Sequence, residues 1–201
     1  MKILSFDVGI KNLSYCYLDV CMGNTREDSD SMKTSLKMIE WNNICTTEEG
    51  VNCAKIKLDD LTMCVLNALH DTFDEAYEAD VVLIENQPML KNGQMKTVAV
   101  IIYTYFNMLK LQYGSIKDVK FISATNKLKC KEVPVSDQAK SKTSSYKDRK
   151  LLSVEVARTY IAKLFPEREV WFQGLKKKDD ASDVLLQAIY YIEHVLKIKL
   201  S

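Results

Sequence analysis

The fold of this chain is constrained most by two short apolar runs, each of which contains an acid near its end. Residues 2–8 read Lys-Ile-Leu-Ser-Phe-Asp-Val, and residues 81–85 read Val-Val-Leu-Ile-Glu. Runs of this length and composition predict buried strands. A carboxylate in such surroundings is costly unless something compensates its charge. Glu85 could merely begin a turn, but Asp7 is hard to explain as a structural residue, because strands of this kind seldom carry an unpaired acid.

The remaining apolar pattern predicts an α/β domain. An opening hairpin followed by alternating strands and helices indicates a mixed sheet with helices on its faces. The 201 residues fit one domain over 1–201, with inserted loops such as the polar stretch 22–34. Further strands are predicted over 13–20, 36–44 and 119–122, and helices over 54–79, 95–112, 149–164 and from Asp180 to Leu196.

Composition narrows the classes of partner and cofactor. The chain is 47% hydrophobic and 27% charged, with a formal net charge of +1, so DNA would have to meet a local basic patch. The six cysteines form no CxxC pair and there are two histidines, which argues against structural zinc. No apolar run is long enough to span a membrane, and we expect an intracellular protein that has no membrane partner.

A second pair of acids opens the last predicted helix. Asp180 and Asp183 are three residues apart and therefore share one face of it. Acids at a helix start can also cap the helix or complement its dipole, and that alternative stays open. Mg²⁺ prefers oxygen ligands, and two such ions can drive phosphodiester hydrolysis. Gly9, just after Asp7, would let the backbone approach a phosphate closely.

These acids stand in segments that resemble a known family. Residues 6–14 (Phe-Asp-Val-Gly-Ile-Lys-Asn-Leu-Ser), 84–87 (Ile-Glu-Asn-Gln) and 180–183 (Asp-Ala-Ser-Asp) resemble motifs of the RuvC-like Holliday junction resolvases, in particular the poxvirus branch. The resemblance implies a ribonuclease H-like mixed five-stranded sheet flanked by helices. It also implies a metal-dependent, structure-selective endonuclease that nicks four-way and other branched DNA, in viral genome concatemer resolution within the host cytoplasm.

The resemblance assigns roles by position. Asp7, Glu85, Asp180 and Asp183 would bind two Mg²⁺ ions, for which Mn²⁺ can substitute, and no small-molecule cofactor is implied. The family also places a lysine near its active site, at the start of the helix before the last. Lys147, Arg149 and Lys150 compete for that role, and Lys150 is preferred.

Basic residues flank the acidic motifs in sequence. A lysine run is usually a solvated face, but its position here favours contact with DNA phosphates, which gives affinity without sequence reading. The expected DNA contacts are Lys11, Lys127, Lys129, Lys142, Lys147, Arg149, Lys176 and Lys177.

The family resemblance further implies a homodimer, because a junction needs two opposed nicks. The apolar helix 95–112 is either a central core helix or part of a symmetric contact. Two other functions remain as alternatives: a ribonuclease H-like nuclease of different specificity, and a branched-DNA-binding module without catalysis.

Overall fold

The computed structural model describes residues 1–22, 34–47, 55–73, 78–87, 93–132 and 145–200 of the chain. Most of the predicted loop over 22–34 lies outside these residues. Five strands form one sheet: β1 (Lys2–Asp7), β2 (Asn12–Met22), β3 (Thr34–Cys45), β4 (Val81–Asn86) and β5 (Asp118–Ser123). Their order is β3-β2-β1-β4-β5, with β1–β2 and β2–β3 antiparallel and β1–β4 and β4–β5 parallel. The predicted mixed five-stranded sheet is confirmed.

Helices cover both faces of the sheet. They are α1 (Leu58–Thr72), α2 (Gly93–Tyr113), α3 (Tyr146–Leu164), α4 (Glu169–Gly174) and α5 (Lys178–Tyr190), and α5 continues as a π-helical turn over Tyr191–Val195. Two 3₁₀ helices span Ala124–Lys129 and Pro166–Arg168. No helix within the described ranges is long and apolar enough to cross a bilayer.

Helices α1 and α3 differ from the sequence prediction by several residues, for local reasons. The first helix was predicted over 54–79, but α1 ends at Thr72, where the backbone N–H of Phe73 donates to the carbonyl of Leu69. Helix α3 begins before residue 149 because Ser145 and Asp148 form a capping box, in which each side chain accepts a hydrogen bond from the other's backbone N–H.

The core divides into two apolar clusters, one on each face of the sheet. Leu4 and Phe6 of β1 pack with Ile84 of β4 against α1 and α2. Ile3 of β1 and Leu83 of β4 pack on the opposite face against α3 and α5. Successive side chains of a strand point to opposite faces. The alternation therefore directs the odd-numbered residues of both strands toward α3 and α5, and Asp7 and Glu85 are odd-numbered.

Candidate active site at the ends of β1 and β4

Asp7 and Glu85 lie side by side where two neighbouring parallel strands end. Phe6 of β1 pairs with Ile84 of β4, so the next residue on each strand comes beside the other. Their carboxyl groups are close enough for each to shift the pKa of the other. Gln87 Nε2 donates to Glu85 Oε2 at 2.8 Å, which fixes the second oxygen of that carboxylate. The register of the sheet therefore brings together the two acids that the sequence singled out.

Helix α5 adds Asp183 to this pair. Buried Gln187 donates through Nε2 to Ser5 Oγ at 3.0 Å and to the carbonyl of Phe6 at 3.2 Å, which docks α5 across β1. Asp183 lies one turn before Gln187 and shares its face, so it projects toward the end of β1. The sequence prediction overlooked Gln187, although a glutamine within an apolar helix face was a signal that a polar group is docked there.

Asp180 lies one further turn toward the start of α5. The residue that caps this helix is Lys177, whose side chain makes no capping hydrogen bond with the described residues, and neither Asp180 nor Asp183 occupies the cap. Asp180 pairs loosely with Lys177, at 4.0 Å between Oδ2 and Nζ. Burial and the charge of Asp179 raise the pKa of Asp180. Helix capping therefore does not explain the presence of either acid.

Lys127 enters the centre of the cluster from the 3₁₀ helix after β5. Its Nζ lies 2.5 Å from Asp183 Oδ2 and 3.2 Å from Glu85 Oε1. The side chains of Lys127, Glu85 and Asp183 are 11%, 9% and 19% exposed. The ammonium group of Lys127, a predicted DNA contact, thus points inward to carboxylates, and its contact with DNA stays a prediction.

The electrostatics of the cluster follow from its burial and charge. Burial, then the hydrogen bond and charge of Glu85, raise the pKa of Asp7 well above its ordinary value. Burial also pushes the pKa of Glu85 upward, but the hydrogen bond with Asp7 and the charge of Lys127 outweigh it and leave that pKa lowered. Burial raises the pKa of Asp183 against the opposing charge of Lys127. The pair of strand-end acids therefore tends to share one proton.

The side chains of this cluster are of the type that binds a divalent metal, but their arrangement is not that of a metal site. Carboxylate oxygens are the ligands that Mg²⁺ prefers, and a bound cation would offset both the burial and the neighbouring Glu85 charge that raise the pKa of Asp7. Yet in the parts of the chain that the structure describes, no group of three or more Asp, Glu, His or Cys residues is arranged to hold a metal ion. The ammonium group of Lys127 lies between two of the candidate ligands instead.

Lys150 lies on α3 at the rim of the site. It forms an ion pair with Asp179, the neighbour of Asp180, and its ammonium group also lies 5.1 Å from the ring centre of Tyr146. Burial lowers the pKa of Lys150, but the hydrogen bonds with Asp179 and Tyr146 outweigh burial and raise it. Lys150 is therefore a charged lysine held near the start of α5, while its proposed catalytic role stays a prediction.

The other predicted DNA contacts lie on the surface where they are described. Lys142 is outside the described residues. Lys129 donates to Asn126 Oδ1 at 2.7 Å, on the outer side of the turn that carries Lys127 inward. Among the predicted DNA contacts, the exposed side chains are Lys11, Lys129, Lys147, Arg149, Lys176 and Lys177.

The turn after β1 requires glycine at position 9, for a reason that the sequence did not reveal. A Cβ on Gly9 would lie 2.2 Å from the carbonyl oxygen of Asn12, so the turn between β1 and β2 closes only with glycine there. The expected role of Gly9, close approach of a phosphate, is not needed to explain this residue.

Known structures share this architecture over nearly the whole chain. The fowlpox virus Holliday junction resolvase matches with a TM-score of 0.58 and 20% identity, over 96% of this chain and 99% of that chain. The yeast mitochondrial Holliday junction resolvase Ydc2 matches with a TM-score of 0.57 and 18% identity, over 94% and 78%. RuvC of Thermus thermophilus matches with a TM-score of 0.50 and 14% identity, over 96% of both chains. At these identities the likeness establishes the fold, which is the predicted ribonuclease H-like one.

Sequence comparison identifies the family. Protein L451 of Acanthamoeba polyphaga mimivirus is 31% identical over 122 residues, which cover 57% of this chain and 29% of that protein. This chain thus aligns with less than a third of that relative's length. The model of the poxvirus A22 protein family matches residues 1–197. The chain therefore belongs to the poxvirus A22 protein family.

Proposed function

We propose that this protein is a metal-dependent endonuclease that resolves four-way DNA junctions by paired nicks. The observation that carries the proposal is the gathering of Asp7, Glu85 and Asp183 at one end of the sheet, in a fold shared with junction resolvases. A structure of the fowlpox virus resolvase contains its substrate Holliday junction DNA, which supports branched DNA as the substrate class.

The four carboxylates Asp7, Glu85, Asp180 and Asp183 would hold the divalent metal, as Mg²⁺ or Mn²⁺. When bound, a pair of such ions activates the attacking water and stabilises the leaving oxygen of a phosphodiester. The chain's own contribution is positioning. The parallel register of β1 and β4 holds Asp7 and Glu85 side by side on one rigid sheet, and the docked face of α5 carries Asp183 to them, which supports these three as ligands. Asp180, one turn away on α5, would complete the set.

Basic side chains around this cluster would hold the DNA. Lys150 lies beside the start of α5, where Asp179 keeps it charged and oriented. On release from Asp179 it can stabilise negative charge that develops on a phosphate near the carboxylates. The exposed Lys147, Arg149 and Lys176 then supply contacts to the backbone of the DNA arms, which depend on branch shape and not on base sequence.

A homodimer would place two such sites on one junction. Helix α2 buries Val98, Ile102 and Phe106 in the core, as expected of a core helix, yet it also leaves Met108 and Leu111 exposed. These exposed apolar residues support part of α2 as the contact between subunits. The poxvirus family and the giant-virus relative support action at viral replication sites in the host cytoplasm, on concatemers of viral DNA.

The test compares a labelled four-way junction with a linear duplex of the same sequence, each incubated with the protein and Mg²⁺. We expect nicks at symmetrically related positions in two opposed strands of the junction and none in the duplex. Tight junction binding without nicks, in Mg²⁺ and in Mn²⁺, would support a non-catalytic branched-DNA-binding module. Cleavage of an RNA–DNA hybrid in preference to the junction would support a ribonuclease H-like nuclease of another specificity.

A further inference from the structure

Lys127 is set into the carboxylate cluster by a short segment that is anchored on both sides. The 3₁₀ helix Ala124–Lys129 follows β5 directly, with Ser123 capping its start. Leu128 and Cys130 are buried, and the thiol of Cys130 contacts the carbonyl of Leu186 in α5 at 3.3 Å. Lys129 is exposed, whereas the ion pairs of Lys127 with Glu85 and Asp183 show that its side chain reaches inward along the end of the sheet.

The carboxyl groups around Lys127 outnumber its single positive charge. Asp7, Glu85 and Asp183 surround the ammonium group of Lys127, which contacts the latter two directly. Among the described residues, Lys127 is the one cation in contact with these carboxylates. A single ammonium group therefore neutralises only part of the negative charge that the sheet and α5 bring together.

A divalent ion that used the same two carboxylates would compete with this ammonium group. Asp183 Oδ2 and Glu85 Oε1 both face Nζ of Lys127. Mg²⁺ binds oxygen ligands at about 2.0–2.1 Å and in near-octahedral geometry, so it would need the space that lies between these oxygens. Two cations in that space repel each other strongly, because the site is buried and poorly screened.

We propose that Lys127 is an internal counterion that holds the metal-free carboxylate cluster together and must be displaced when a divalent ion binds Asp183 and Glu85. The inference rests on the proposed function in one respect, the identity of the metal ligands. It makes Lys127 a positioning residue that sets the metal affinity of the site, in place of the DNA-contact role that its sequence suggested. Its long side chain can swing away while Leu128 and Cys130 keep the backbone in place.

The proposal predicts opposite effects of one substitution on stability and on metal binding. Lys127→Met keeps the length of the side chain and removes its charge. We expect the metal-free variant to melt at a lower temperature than the wild type, because the carboxylates lose their counterion. We expect it to bind Mn²⁺ at least about tenfold more tightly at pH 8 in calorimetric titration without DNA, because no ammonium group competes.

Lys129→Met is the matched control. It removes the same charge from the same 3₁₀ helix, but from an exposed side chain that contacts Asn126. We expect its melting temperature to stay at that of the wild type. Its affinity for Mn²⁺ should stay within about twofold of the wild type, since screening weakens the long-range effect of this charge. A Lys127→Met protein that binds Mn²⁺ no more tightly than the wild type or the Lys129→Met protein would overturn the proposal.

A measurement on the wild-type protein covers the case in which Lys127→Met does not fold. Acetic anhydride modifies accessible amines, and mass spectrometry reports the extent at each lysine. Without metal, we expect Lys127 to be protected and Lys129 to react. Added Mg²⁺ should increase modification of Lys127 severalfold and leave Lys129 unchanged. Protection of Lys127 that is the same with and without saturating Mg²⁺ would refute displacement.

These results separate the inference from the proposed function. Both measurements are made without DNA, so they report on the carboxylate cluster alone. If Lys127→Met tightens Mn²⁺ binding while the wild type cuts no junction, the counterion role stands and the nuclease function fails. If the wild type cuts junctions while Lys127→Met leaves metal affinity unchanged, the nuclease function stands and the counterion role fails.

Discussion

Gly9→Ala tests whether the turn that follows Asp7 is as tightly built as its geometry indicates. The added methyl carbon would lie 2.2 Å from the carbonyl oxygen of Asn12, whereas ordinary contact begins at 3.4 Å. The oxygen belongs to backbone and cannot rotate away. The turn must therefore open, which strains the hydrogen bonds that Thr46 donates to the carbonyls of Ile10 and Lys11.

The cost follows from these two effects. Overpacking costs about 1–3 kcal/mol and the two weakened hydrogen bonds together about 1 kcal/mol, so we expect Gly9→Ala to lower the free energy of unfolding by about 2–4 kcal/mol. Urea unfolding, followed by circular dichroism, measures it. Gly174→Ala is the control, because a Cβ on Gly174 meets no described atom within 4 Å. Equal stability of the two variants would refute the reasoning.

Three further predictions concern the site and its supports. Asp183→Asn should abolish most of the rise in melting temperature that Mg²⁺ produces in the wild type, since a ligand is lost; an unchanged rise in a thermal scan would remove Asp183 from the ligand set. Lys150→Ala should slow junction cleavage about 10²-fold in single-turnover assays while binding weakens less than about threefold; parallel losses would make it an ordinary phosphate contact. Glu193→Leu leaves Tyr160 Oη and the N–H of Lys131 without their buried acceptor, so the free energy of unfolding should fall by about 2–4 kcal/mol. A fall of less than about 1 kcal/mol in urea unfolding would contradict this.

Strand patterns in the sequence predicted most of the sheet, because burial on both faces leaves continuous apolar runs. The runs before Asp7 and Glu85 are such strands, and their parallel pairing at the sheet centre was enough to bring two acids together. Asp183 was predicted to share a helix face with Asp180. The position of α5 along β1 depends on the contacts of Gln187 with Ser5 and Phe6, which are distant in sequence and leave no local pattern.

The place of Lys127 could not be predicted from charge alone. Its neighbours include several lysines, so the run was interpreted as a surface that contacts DNA phosphates. Burial of Leu128 and Cys130 anchors the segment, but the inward direction of Lys127 follows from its ion pairs with Glu85 and Asp183, which are distant in sequence. Likewise, α4 was overlooked because it spans only Glu169–Gly174 and is held by packing of Phe172 against Trp41, not by helical periodicity.

The central claim is that this cluster of carboxylates makes paired nicks across a DNA junction, and a supercoiled plasmid that extrudes a cruciform tests it most directly. Two nicks made within one encounter linearise such a plasmid, whereas isolated nicks only relax it. With Mg²⁺, we expect the wild type to convert the plasmid to linear DNA and the Asp7→Asn protein to bind it without cutting. Relaxed circles as the only product of the wild type, or linear DNA from Asp7→Asn at an undiminished rate, would contradict the account.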